Sequence, residues 1–94
     1  MKIGGTIWLR DIVEKLIVKH HVEMHEVEQA LANEPKYRFV EIGDREGEDV
    51  YMALGQTDGG RYLAILFIHK LDGSALILSA RNMADKERGI YERK

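Results

Sequence analysis

The 94-residue sequence has no cysteine and a single proline, Pro35. The first absence removes disulfides, thiolate metal sites and a cysteine nucleophile together, so packing alone must hold the fold. Long apolar runs are also missing: none approaches the roughly 20 residues that cross a bilayer. The opening Met1-Lys2-Ile3-Gly4-Gly5-Thr6 carries one charged side chain and no extended apolar stretch, unlike a secretory signal. The expected location is therefore the cytoplasm. Gly55 to Gly60 lacks the lysine and the following helix of a phosphate-binding loop, so no nucleotide cofactor is expected.

What is present reads as one folded domain spanning 1–94. The composition is 45% hydrophobic and 32% charged, which excludes a disordered chain. A net charge of −2 conceals a strong asymmetry: residues 23–60 carry ten acids against three bases, whereas both termini are basic. A cationic patch forms only if the two termini meet in space, and the same charges also suit ordinary solvated faces. The acidic middle is not expected to face nucleic acid.

Hydrophobic periodicity orders the elements. Thr6-Ile7-Trp8-Leu9 suits a short edge strand. Ile12, Val13, Leu16 and Ile17 form one face of a helix that ends at His20-His21. Met24, Val27, Ala30 and Leu31 give a second helix from Glu23 to Asn33, which Pro35 forbids from continuing. The period then falls to two. Strands are expected around Tyr37–Glu41, Val50–Leu54, Tyr62–Ile68 and Ala75–Ala80, with turns at Asp44–Gly47, Asp58-Gly59-Gly60 and Asp72-Gly73. The nearly continuous apolar run Tyr62–Ile68 predicts a central strand buried on both faces. A last helix is expected from Met83 to Lys94. The sum is an α+β fold, an antiparallel meander with two N-terminal helices and one C-terminal helix.

Five pieces of this order resemble the BrnT family of toxins from bacterial type II toxin–antitoxin systems. They are Trp8, Lys19-His20-His21-Val22, Leu54-Gly55 with Asp58-Gly59-Gly60-Arg61, Leu76-Ile77-Leu78-Ser79-Ala80-Arg81, and Glu87-Arg88-Gly89-Ile90-Tyr91. Ser-Ala-Arg followed by Glu-Arg and Tyr is the most specific of them. The departures are equally definite. His21 replaces a glycine, the Asp that follows the Trp is displaced to Asp11, and Val50, Gln56 and Leu76 stand where the family carries arginine. The resemblance implies a RelE-like fold and an endoribonuclease that cleaves RNA and inhibits translation. It also implies neutralisation by a BrnA-like, ribbon-helix-helix-like antitoxin, through which alone the toxin would meet DNA. The missing arginines leave a second reading open, a degenerate toxin that only binds its antitoxin and acts in autoregulation.

A metal-independent ribonuclease uses the RNA 2′-hydroxyl as nucleophile and needs a base, an acid and cations around the phosphorane. His20 suits acid–base work near neutral pH. Lys19 and Arg81 suit the phosphate oxygens, Arg81 through its planar fork. Arg88 and Tyr91 suit RNA binding by charge and stacking, and Glu87 suits orienting a cation rather than touching phosphate. Plainer roles compete for each: a packing histidine, an Arg81–Glu87 surface pair, a core tyrosine, and a core anchor for Trp8. His21 and His25 are spaced i, i+4, but the helix break expected between them argues against a metal clamp. His20 and Arg81 are expected on one face of the domain.

Overall fold

A computed structural model describes residues 1–93. Strand β1 (Gly5–Ile7) leads into helix α1 (Arg10–Lys15), whose last turn, Leu16–His20, widens into a π turn. Helix α2 (Met24–Ala32) comes next. Strands β2 (Lys36–Glu41), β3 (Val50–Gln56), β4 (Tyr62–His69) and β5 (Ser74–Asn82) then run in succession before helix α3 (Asp85–Glu92). Lys94, the expected end of that last helix, lies outside the described residues. None of the described helices is long and apolar enough to cross a membrane.

The sheet order is β1-β5-β4-β3-β2. Strands β2 to β5 form the expected antiparallel meander, but β1 pairs parallel to β5, with Thr6 opposite Ala75, so the sheet is mixed. The cause is topological. The helices carry the chain from β1 over the sheet to β2 at the far edge, which leaves β1 beside the last strand rather than beside its neighbour in sequence.

Alternation along each strand divides the sheet into two unlike faces. Ala53, Leu63, Ile65, Phe67, Ala75, Ile77 and Ala80 point to one face and are sealed beneath Leu16, Val22, Val27 and Ala30. Gly55 lies under α2 on this face, where a Cβ would come within 2.6 Å of the Ala30 carbonyl oxygen. That close approach is the physical reason for glycine in Leu54-Gly55. Asn33, at the end of α2, donates to the Gln56 carbonyl (3.0 Å) and to Asp58 (2.9 Å), latching the β3–β4 hairpin to the helix.

The π turn alters the apolar stripe read from the sequence. A π turn holds an extra residue per turn, which rotates the residues after it about the helix axis. Leu16 stays buried, whereas Ile17 is 47% and Val18 75% exposed. The turn closes on His21, whose φ of +53° lies in the left-handed region. It is a position at which glycine pays no steric penalty.

Helix α3 lies on the other face, above the end of the sheet formed by Leu54 and Ala64. Those two residues are buried yet stand apart from the core under α1 and α2. No residue of α3 is itself fully buried. Side-chain staples hold it instead, and they define the candidate site.

Candidate functional site

One rim of the sheet is formed by the start of β2, the β3–β4 hairpin and the end of β5. Arg81, opposite Ala64 in register, points to the α3 face because its neighbour Ala80 is buried under the other helices. Its two terminal nitrogens donate to Glu87 Oε1 (2.6 Å) and Oε2 (2.8 Å), a bidentate pair. Glu87 also accepts from the Ala84 backbone N–H (2.8 Å), which closes the first turn of α3. The hydrogen bonds from Arg81 hold the Glu87 carboxyl below the ordinary carboxylate range despite partial burial, and the same bonds raise the Arg81 guanidinium.

Beside this pair Arg88 stacks over the Tyr62 ring, 4.1 Å from its centroid, and Tyr91 meets Tyr62 edge-on at 5.9 Å. Lys36 on β2 donates to the Ile90 (3.0 Å) and Arg93 carbonyl oxygens, neutralising the negative end of α3. The positive charge of Arg38 lies close enough to help hold the Glu87 carboxyl down. Arg81, Glu87, Arg88 and Tyr91 are thus brought together, joined by Tyr62, Lys36 and Arg38.

Lys19 and His20 stand on the other side of the rim. Lys19 is exposed and His20 half-buried, at the C-terminal end of the π turn. The turn packs over the face that holds Ala80, so His20 and Arg81 occupy opposite faces of the sheet, against expectation. Strand alternation decides this: burying Ala80 beneath the helices turns Arg81 away from them.

The two groups are nevertheless joined by Arg61. Its Nη2 donates to the His20 carbonyl (2.9 Å), its Nη1 to the His21 carbonyl (2.7 Å) and to Glu26 (3.1 Å), and its Nε to Asn82 Oδ1 (2.7 Å). A single guanidinium therefore caps the helix end that carries Lys19-His20 and ties it to the residue after Arg81. Burial raises the Glu26 carboxyl, but the Glu23 N–H and Arg61 outweigh this and hold it below the usual range. Arg61, Tyr62, Lys36 and Arg38 were not expected at the site from the sequence. For Arg61 the available signal was an arginine directly after a Gly-Gly turn, where it must start a strand at the rim.

Trp8 half-buries against the core and donates from Nε1 to Thr6 Oγ1 (3.0 Å), the hydroxyl of which donates to Glu28 (3.0 Å). His25 is exposed and lies 3.9 Å from Glu23, beyond the break at His21. Among the described residues, no three metal-ligating side chains converge.

The family described as ribonuclease toxin, BrnT, of type II toxin–antitoxin systems matches residues 8–87. The chain belongs to this BrnT family. The crystal structure of the Brucella abortus ribonuclease toxin BrnT is similar to it in fold, with a TM-score of 0.61 over 86% of this chain and 97% of that one, at 19% sequence identity. No curated protein matches the chain in sequence. Membership of a ribonuclease toxin family of type II modules makes an antitoxin its partner. The BrnT match spans every element from α1 to the first turn of α3, so it takes in Lys19, His20, Arg61, Arg81 and Glu87 and ends just before Arg88 and Tyr91.

Proposed function

We propose that residues 1–94 form one RelE-like toxin domain that cleaves RNA without a metal at the basic rim, in the cytoplasm, and so blocks translation. The observation that carries this is the convergence of Arg81, Arg88, Tyr62 and Tyr91 on a rim whose other lip is the Lys19-His20 helix end. An RNA strand straddles that rim. His20 takes the 2′-hydroxyl proton as O2′ bonds to phosphorus, the bond from phosphorus to O5′ breaks, and the protonated imidazole returns a proton to O5′. The products are a 2′,3′-cyclic phosphate and a 5′-hydroxyl. Lys19 faces the charge that grows on the non-bridging oxygens, while Arg81, on the opposite face of the sheet, holds a phosphate farther along the straddling strand. Arg88 holds a neighbouring phosphate and Tyr91 stacks a base, while Glu87 keeps the Arg81 fork in plane. The antitoxin is a DNA-binding, ribbon-helix-helix-like protein that sequesters the toxin.

In this reading, induction of the chain alone in bacteria arrests growth, and co-expression of the protein encoded beside it restores growth. The purified chain cleaves RNA in EDTA and leaves 2′,3′-cyclic ends, and it spares a strand with 2′-deoxyribose at the cleavage site. Normal growth with abundant folded protein, or cleavage abolished by EDTA, contradicts it.

A second reading, a degenerate toxin that retains only antitoxin binding, is favoured by one observation. Val50, Gln56 and Leu76, the three positions at which arginine is missing, all belong to the α3 face, the same face as Arg81. The losses thin the cationic surface on one side rather than scattering over the molecule.

A further inference from the structure

Helix α3 covers only the rim end of its face, and two rows of side chains beyond it have no helix over them among the described residues. In the first, Met52, Leu66 and Ser79 are cross-strand neighbours beside Arg38. In the second, Val50, Ile68, Leu76 and Ile7 run unbroken across β3, β4, β5 and β1. Their apolar side chains are half-buried except Ile7, which is 40% exposed. At the end of the second row Ile42, 77% exposed, shares a cleft with Val50 and Ile68 whose remaining walls include Glu41, Asp44 and Glu48. Contiguous apolar surface of this kind on a small domain marks a protein contact.

We propose that these two rows are the docking surface for the antitoxin, and that the segment which docks is an amphipathic helix with basic residues at the end that meets Ile42. This rests on the type II reading and adds to it where, and by what chemistry, the partner binds. A row of four strands spaced ~4.8 Å apart is ~14 Å long, which about ten helical residues span at 1.5 Å each. Such a helix lies alongside α3 and completes the second layer on that face. Charge complementarity sets its polarity. Residues 41–49 hold five acids and one base, so the cleft at Ile42 selects cationic side chains. The same acids repel RNA, and the row positions Val50, Ile68, Leu76 and Ile7 are all apolar. This part of the face, away from the Arg81–Arg88 rim, is therefore fitted to a protein and not to phosphate.

The experiment is titration calorimetry of the full chain against the full-length protein encoded in the adjoining reading frame, at low and high salt, with RNA cleavage and melting measured on each variant. Ile42→Gln, at an exposed position, and Leu76→Arg, which sets a charge in the middle of the second row, should each weaken binding at least tenfold. Asp44→Lys should weaken it ~3–10-fold and flatten its salt dependence. All three should cleave RNA and melt as the parent does, or nearly so for Leu76→Arg. Parental affinity in Ile42→Gln and Asp44→Lys, with binding lost instead on Arg81→Glu and Arg88→Glu, overturns the proposal and leaves the type II reading intact. So does self-association of the free chain that Ile42→Gln abolishes, since the occupant is then a second copy. A parent chain that binds no neighbouring protein removes both.

Discussion

The two faces of the sheet are built from the same five strands and differ in how they are covered. Under α1 and α2 the contacts are dry: Leu16, Val27, Leu63, Ile65, Phe67 and Ile77 are almost wholly out of solvent. Under α3 only Leu54 and Ala64 reach that state, and the helix is held by Arg81–Glu87, Lys36 and the stacked Arg88, Tyr62 and Tyr91. Buried apolar area is worth ~25 cal/mol per Å², whereas partly exposed ion pairs are worth ~0–1 kcal/mol. The first face accounts for stability. The second keeps charged and aromatic groups near solvent, where they can meet RNA or a partner, at the cost of a lightly held helix.

Substitutions that strike each face sharpen this contrast. The largest effect belongs to Phe67, fully buried and packed against Tyr37 and Tyr51 at ~6 Å between ring centroids. Phe67→Ala should cost ~3–5 kcal/mol in urea unfolding, enough to leave a domain of this size largely unfolded. Gly55→Ala comes next. Its new Cβ meets backbone that cannot rotate aside, so a loss of ~1–3 kcal/mol is expected, read in the same titration. A parental midpoint for either variant would mean that the helices are not seated as described.

On the α3 face the stability effects are smaller. Arg81→Met should cost ~0.5–1 kcal/mol at neutral pH, since the side chains of the pair are 41% and 16% exposed. It should also change the acid limb. The Glu87 carboxyl is held below the ordinary value of about 4.5, so its contribution is fully present above that pH and is lost as pH falls through the lower, folded-state value. Arg81→Met should therefore flatten the loss of stability below pH ~4.5 relative to the parent. An unchanged acid profile would show that the pair adds nothing in solution. The smallest effect reverses sign: His21→Gly relieves a left-handed backbone at the end of the π turn and should stabilise by ~0.5–1 kcal/mol. A loss there would mean that the His21 side chain makes a compensating contact.

The contrast between faces also explains what could be read from the residues alone. Element order came from period and turn chemistry, because Pro35 and the Asp-Gly turns punctuate the chain where structure changes. The parallel pairing of β1 with β5 was not readable, since a three-residue strand carries no signal of its partner. The π turn was hidden as well: Ile17 keeps the apolar spacing of α1 but is turned outward by one extra residue in the turn. At the site, Arg81, Glu87, Arg88 and Tyr91 are neighbours along the chain, so their convergence required only a strand meeting a helix. The placement of Lys19-His20 depends on which way β5 presents residue 81, and a one-residue step in a strand inverts that choice. Arg61 joins segments some 20 to 40 residues apart, a relation that only the folded chain displays.

The central claim is that the rim does chemistry and contributes little to folding. The most direct measurement is single-turnover RNA cleavage in EDTA by the parent, His20→Ala and Arg81→Ala, with the melting temperature of each taken in the same buffer. The account predicts cleavage falling ~10²–10³-fold in His20→Ala and ~10–10²-fold in Arg81→Ala, with melting lowered by no more than a few degrees. Parental cleavage rates in both variants, or loss of cleavage that simply tracks unfolding, would contradict it.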